Sequence, residues 1–570
     1  MEQRFGWAAV IAAFLLFQPI AARADDGEAD PADETEAADT ADSPGYPSDA
    51  VFEFLMAELA SQRGDVAAAL EIYNRLARET QDPLIARRAV EAAIRARNFS
   101  AALDSATLLL ELDSDSTLAR EIMAALLANE GDVEKARDRV AGLLEQMPSR
   151  APAVLMQLSH LFAKFQNKAE VLEVTRAITR PYDALPEAHY AIGVAALVAG
   201  KLDIAIQEAD KAMDLKPAWE HGAVLKAQAL RKSAPEEIVP FYRAFLEKHP
   251  ESTEVRMQLG RELAADHKLA EARDQFREAE KRLKSDPQPA YAIGLLSLQL
   301  EDYAEAQIAF TRALKGGYRE PAAVYLGLGQ AAEGLKRVDE AITWYKKVDS
   351  NDWVRAQLKI ATLLARQQGL AAGREYLQKI ETSTPEDKVQ VIQVEAQLLR
   401  DAKEWKETFA MLTAAVKEYP DSFELRYDLA MAAERVNRID ILESELRRVM
   451  EMKPDYAHAY NALGYTLAEK TNRLSEAKEL IEKALKISPD DPFIIDSLGW
   501  VYYRLGQVPE ALKHLQQAYT SRPDPEIAAH LGEVLWKSGQ RAEAQKVWQT
   551  ALTDNPGHES LLAVMQKYHP

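Results

Sequence analysis

Residues 492–523 read PFIIDSLGWVYYRLGQVPEALKHLQQAYTSRP. The positions that decide its meaning are Leu498, Gly499, Tyr502, Gly506, Ala511, Leu515, Ala518 and Pro523. A small residue inside a first helix and an Ala early in a second let two helix axes approach closely. The large residue four positions after that Ala fills the gap toward the next hairpin. Gly506 suits the left-handed cap between the helices. Pro523 ends the second helix and sets the turn that follows. The same set recurs 33 residues downstream as Leu531, Gly532, Leu535, Gly539, Ala544, Trp548, Ala551 and Pro556.

Working outward, the pattern continues toward the N-terminus. One upstream copy shows Gly193, Gly200, Ala205, Ala212 and Pro217; two more show Gly260, Ala272, Phe276, Ala279 and Gly294, Ala306, Phe310, Ala313. The eighth position of the repeat falls fifteen times between Ala57 and Gly532, at intervals of 32–35 residues. Val90 and Lys226 are the poorest occupants of that position and mark degenerate hairpins. No such hairpin buries its apolar face alone, so neighbours must stack. The expected fold is therefore all-α: an α-solenoid, a superhelix of about fifteen helical hairpins with first helices lining a concave surface.

A period near 34 residues with this residue pattern resembles the tetratricopeptide repeat family, over nearly all of residues 50–556. The resemblance implies a protein-binding scaffold. Residues 557–570 contain Leu561, Leu562, Val564, Met565 and Tyr568 and are expected to form a capping helix over the open end.

Composition narrows the function classes. The 570 residues are 47 % hydrophobic, enough to fold, and carry 90 acidic against 69 basic residues, a net charge of −21. Nucleic-acid binders normally present a basic face, so neither nucleic acid nor an anionic membrane surface is expected as a partner. The chain has no cysteine, which excludes disulfides, thiolate metal sites, cysteine nucleophiles and a lipid anchor on Cys.

The N-terminus reads as a secretory signal over residues 1–24. Arg4 makes the n-region weakly basic, Trp7 to Phe17 is an apolar run, and Ala22-Arg23-Ala24 has the small-x-small form of a signal peptidase site. That run is short of the about 20 apolar residues a spanning helix needs. Residues 25–49 hold ten acidic and no basic residues and are expected to form a disordered acidic linker. The expected location is periplasmic or envelope-associated after cleavage near Ala24.

No motif of catalysis stands out. There is no H-E-x-x-H pair, no G-x-S-x-G elbow and no phosphate-binding loop. Gly327, Gly329 and Gly334 have the wrong spacing for a dinucleotide fingerprint and lie within a first helix. No enzyme activity, cofactor or metal is expected. The candidate protein-binding residues are those that helix position places on the concave face of the last hairpins: Tyr465, Phe493, Asp496, Trp500, Tyr503 and Trp536. Aromatic side chains are the usual anchors of protein interfaces. The competing reading of Trp500 and Tyr503 is packing against the neighbouring hairpin. A clamp for a C-terminal carboxylate is disfavoured, because Ala462 stands where that clamp places its Asn, with Asn461 one residue early.

The stretch from Leu463-Gly464-Tyr465-Thr466-Leu467 through Pro489-Asp490-Asp491-Pro492 to Leu498-Gly499-Trp500-Val501-Tyr502-Tyr503-Arg504-Leu505-Gly506 resembles a group of proteobacterial envelope repeat adaptors. The resemblance implies an adaptor that binds a periplasmic carboxyl-terminal processing protease and presents peptidoglycan hydrolases to it; the serine nucleophile would be the partner's. The chain departs from the lipoprotein members of that group in lacking a cysteine after the signal. The alternative expectation is a structural scaffold in an exopolysaccharide or secretion assembly.

Overall fold

The computed structural model describes residues 48–568, with breaks at 96–97 and at intervals between 114 and 147. The expected signal and nearly all of the acidic linker lie outside the described residues. Among the described residues, thirty α-helices run from Ser48–Gln62 to Glu559–Tyr568, and there is no strand. These helices form fourteen complete antiparallel hairpins, one further helix (Val133–Gln146), and a terminal helix. The fold is an all-α, tetratricopeptide-type solenoid. Its first helix begins at Ser48, two residues inside the segment read as linker. Two compact units divide the chain at Gly327 and Leu328, within the helix Pro321–Gly334.

In the first unit the close approach of paired helices is set by glycine against an aromatic ring. A Cβ on Gly294 would come within 2.7 Å of the Phe310 ring, and one on Gly260 within 2.9 Å of Phe276. Phe310 also lies against Gly327 of the following hairpin. One ring thus fills its own hairpin and the joint to the next. The degenerate hairpins solve the same problem differently. Val90 is fully buried in Pro83–Arg95. Lys226, half-buried, sets its ammonium 2.7 Å from Asp210 and over the Phe241 ring. Four residues before Lys226, Gly222 makes room for Met213 of the preceding hairpin.

In the second unit the same rule holds with partners of varied size. Gly329 faces Tyr345, Gly499 faces Leu515 and Gly532 faces Trp548; Trp548 and Tyr345 are fully buried. The first helices Pro492–Arg504 and Pro525–Lys537 start on side-chain caps. Asp491 accepts from the backbone N–H of Phe493 at 2.8 Å, and Asp524 from that of Glu526 at 2.9 Å. In both a Pro at the first helical position leaves one fewer amide to satisfy. Gly506 and Gly539 end their first helices at φ 78° and 90°, as expected for a left-handed cap. His267, Glu301, Lys336 and Lys403 hold the equivalent positions at φ 58–60° without glycine. For an L-residue that costs about 1–2 kcal/mol.

A candidate protein-binding row on the last first helices

Three first helices, Ala457–Lys470, Pro492–Arg504 and Pro525–Lys537, carry the candidate residues. The structure brings Tyr465, Asp496, Trp500 and Tyr503 together around a residue that the sequence did not single out, His530. The indole of Trp500 stacks on the His530 ring at 4.4 Å and 26°, and Tyr503 leans on that indole at 5.2 Å. Trp500 Nε1 donates to Glu469 Oε2 at 2.9 Å. His530 Nδ1 lies 2.8 Å from Asp496 Oδ2, and His530 Nε2 lies 3.3 Å from the Tyr465 hydroxyl. Arg504 braces Glu469 through its carboxylate and its backbone carbonyl.

Burial opposes charge on His530, but the Asp496 carboxylate, by proximity and hydrogen bond, with Glu526 and Glu469 behind it, raises the imidazole pKa. Burial first, then the Glu469 and Asp496 carboxylates, pushes the Tyr465 phenol well up. In its protonated form the ring donates Nδ1–H to Asp496 and Nε2–H to Tyr465.

Exposure sorts the candidates. Trp500 is 7 % and Asp496 5 % exposed, whereas Tyr465, Tyr503, Phe493 and Trp536 are half-buried. Trp500 is therefore packed into the joint between hairpins, with Tyr465 and Tyr503 left as the accessible aromatic edges. Asp496 Oδ1 is buried with no hydrogen-bond partner. Phe493 stands apart, under the Arg522 guanidinium at 5.1 Å. Trp536 lies between Trp548 (5.8 Å) and Tyr568 of the terminal helix (5.9 Å). Glu533 beside it accepts from Lys567 at 3.0 Å and from the Tyr568 hydroxyl at 2.9 Å. The terminal helix thus occupies much of the last hairpin's share of the row.

The missed residues have one signal in common. Glu469 and Trp500 are 31 residues apart, while Asp496 with His530 and Glu533 with Lys567 are each 34 apart. A polar pair separated by one period is the mark of a contact between successive hairpins. Among the described residues no cluster of three or more His, Asp or Glu is placed to hold a metal ion.

Models of the tetratricopeptide repeat match residues 291–356, 457–491 and 494–522. These segments are tetratricopeptide repeats. Two of the three fall on the hairpins that build the row. A TPR repeat-containing protein of Pseudomonas aeruginosa is 29 % identical over 495 residues, covering 84 % of this chain and 81 % of its own. A thermophilic TPR protein of Thermus thermophilus aligns at 22 % identity and TM-score 0.29, covering 30 % of this chain and 95 % of its own. The APC/C hetero-tetramer Cut9–Hcn1 aligns at 13 % identity and TM-score 0.29, covering 86 % of this chain and 97 % of its own.

Proposed function

We propose that the protein is an exported, non-catalytic adaptor, cut after Ala24, whose row of last first helices receives a segment of a partner protein. Tetratricopeptide arrays generally act as protein-interaction scaffolds, and that much applies to this chain through its repeats. The observation that carries the finer reading is the joint around His530. It fixes Trp500 by stacking and by a hydrogen bond to Glu469, and so holds the Tyr465 and Tyr503 edges in place before any partner arrives. Anchors held in this way lose little entropy on binding. The partner we favour is a periplasmic carboxyl-terminal processing protease, with peptidoglycan hydrolases as the presented cargo, because residues 463–506 carry both the row and the resemblance to envelope adaptors.

A photo-crosslinking residue at Tyr503, expressed in the host, tests this reading. The crosslinked material is expected in the periplasmic fraction, starting at Asp25 and joined to the processing protease or to a hydrolase. An intact Met1 on membrane-bound chain overturns the export claim. Crosslinks to polysaccharide-synthesis or secretion proteins instead overturn the choice of partner.

A further inference from the structure

The first helix, Ser48–Gln62, leaves Val51, Phe52, Leu55, Met56 and Leu59 exposed to solvent; Phe52 is 65 % exposed. Its other side is spent on the fold: Ala57 is fully buried, and Phe54 meets Tyr73 edge-on at 5.9 Å. A helix with apolar side chains on two sides is suited to burial on both. In composition residues 25–47 offer the open side little: Tyr46 is their one large apolar side chain, and nine of the 23 are acidic.

Two features fit a second copy. Phe52, Leu55 and Leu59 are spaced three and four apart, the seam spacing of paired helices, with Val51 and Met56 flanking them. A two-fold axis between Leu55 and Met56 would set Phe52 against Leu59 of the second copy and Leu55 against its Met56. The charges agree with that register. Glu53 is neutralised inside the chain by Arg75 at 3.0 Å, and Glu58 by Arg88 at 3.5 Å and the Tyr73 hydroxyl at 2.8 Å. The seam therefore buries no uncompensated carboxylate. Antiparallel pairing brings Asp49, at the helix start, to the other copy's Gln62 and Arg63, at the helix end. It also sets the two helix starts, each with its Asp49, at opposite ends of the seam, about 20 Å apart, beyond the roughly 8 Å reach of charge at physiological salt. Parallel pairing would bring the two Asp49 side chains together.

We propose that the protein self-associates through antiparallel pairing of its first helices. The full chain, purified as its host processes it, is expected to show a monomer–dimer equilibrium in sedimentation velocity. Phe52→Glu with Leu55→Glu should weaken that dimer at least about tenfold with helical content unchanged. Because the chain has no cysteine, a single introduced one reports the geometry in an otherwise native chain. Met56→Cys should form a disulfide-linked dimer on mild oxidation, and Asp49→Cys should not. A monomer at every concentration overturns the proposal and leaves the face to a different protein. A dimer that survives the double substitution, or one that Asp49→Cys links as readily as Met56→Cys, overturns it equally.

Discussion

The two ends of the array face the same problem and treat it in opposite ways. At the C-terminus the helix Glu559–Tyr568 buries Leu561, sets Tyr568 beside Trp536 and Trp548, and places Lys567 and Tyr568 on Glu533. The last hairpin is thereby covered by the chain itself. At the N-terminus the first helix turns five large apolar side chains outward. A hairpin repeat always leaves one face to be covered by something else. Among the described residues one end is closed and the other is apolar, which separates a fixed boundary from a surface available for association.

The largest effect that sharpens this contrast is at the covered end. Trp548→Ala should cost about 3–5 kcal/mol, because a fully buried indole leaves a cavity against Gly532. Phe52→Ala, at the open end, should leave the melting temperature of a monomeric sample nearly unchanged. Equal losses at the two sites, measured by denaturant unfolding, would erase the contrast.

Next in size is removal of residues 557–570. Faster amide hydrogen exchange is expected in Pro525–Lys537 and Arg541–Asp554, with protection in the first unit unaltered, since stability in a repeat array is a sum of neighbour terms. Uniform loss of protection along the chain would contradict the neighbour account.

A smaller effect concerns pH. The folded-state pKa of His530 is raised by Asp496, so the folded protein holds that proton more tightly than the unfolded chain does. The stabilisation is complete below the unfolded histidine value of about 6.5 and is lost as pH rises through the higher folded value. Asp496→Asn should flatten this part of a pH–melting curve measured from pH 6 upward. A wild-type curve that instead gains stability through that range would refute the assignment.

Smallest is the backbone term. Lys336→Gly and His267→Gly should each stabilise by about 1 kcal/mol, because glycine adopts φ near +60° without the Cβ clash. Gly506→Ala should destabilise by a similar amount. Thermal melting of the three variants checks both signs.

These results also show what the sequence made legible. The period and the hairpins follow from spacing within one repeat, where helix geometry is fixed; the large residue expected in the gap toward the next hairpin also packs on its own hairpin's glycine, as Phe310 does on Gly294 and Trp548 on Gly532. The pairing of Lys226 with Asp210 and the Phe241 ring depends on the neighbouring helices, and the eighth position alone does not reveal it. His267, Glu301, Lys336 and Lys403 replace the expected glycine because the surrounding helices hold the left-handed turn. The row was legible as helix positions, but its internal order was not. The burial of Trp500, its stacking on His530 and the cover over Trp536 depend on how successive hairpins stack, and no single helix records that. The spacing of about one period between Asp496 and His530 was the available clue.

The measurement that tests the protein-binding row most directly is the affinity of the purified processing protease for the wild-type chain and for Tyr465→Ala/Tyr503→Ala, with thermal melting run in parallel. Both side chains are half-buried rather than core, so the variant should stay folded. The expected result is a loss of affinity of at least about tenfold, the size of one interface hot spot, at a nearly unchanged melting temperature. Unaltered affinity in the well-folded variant would contradict the account.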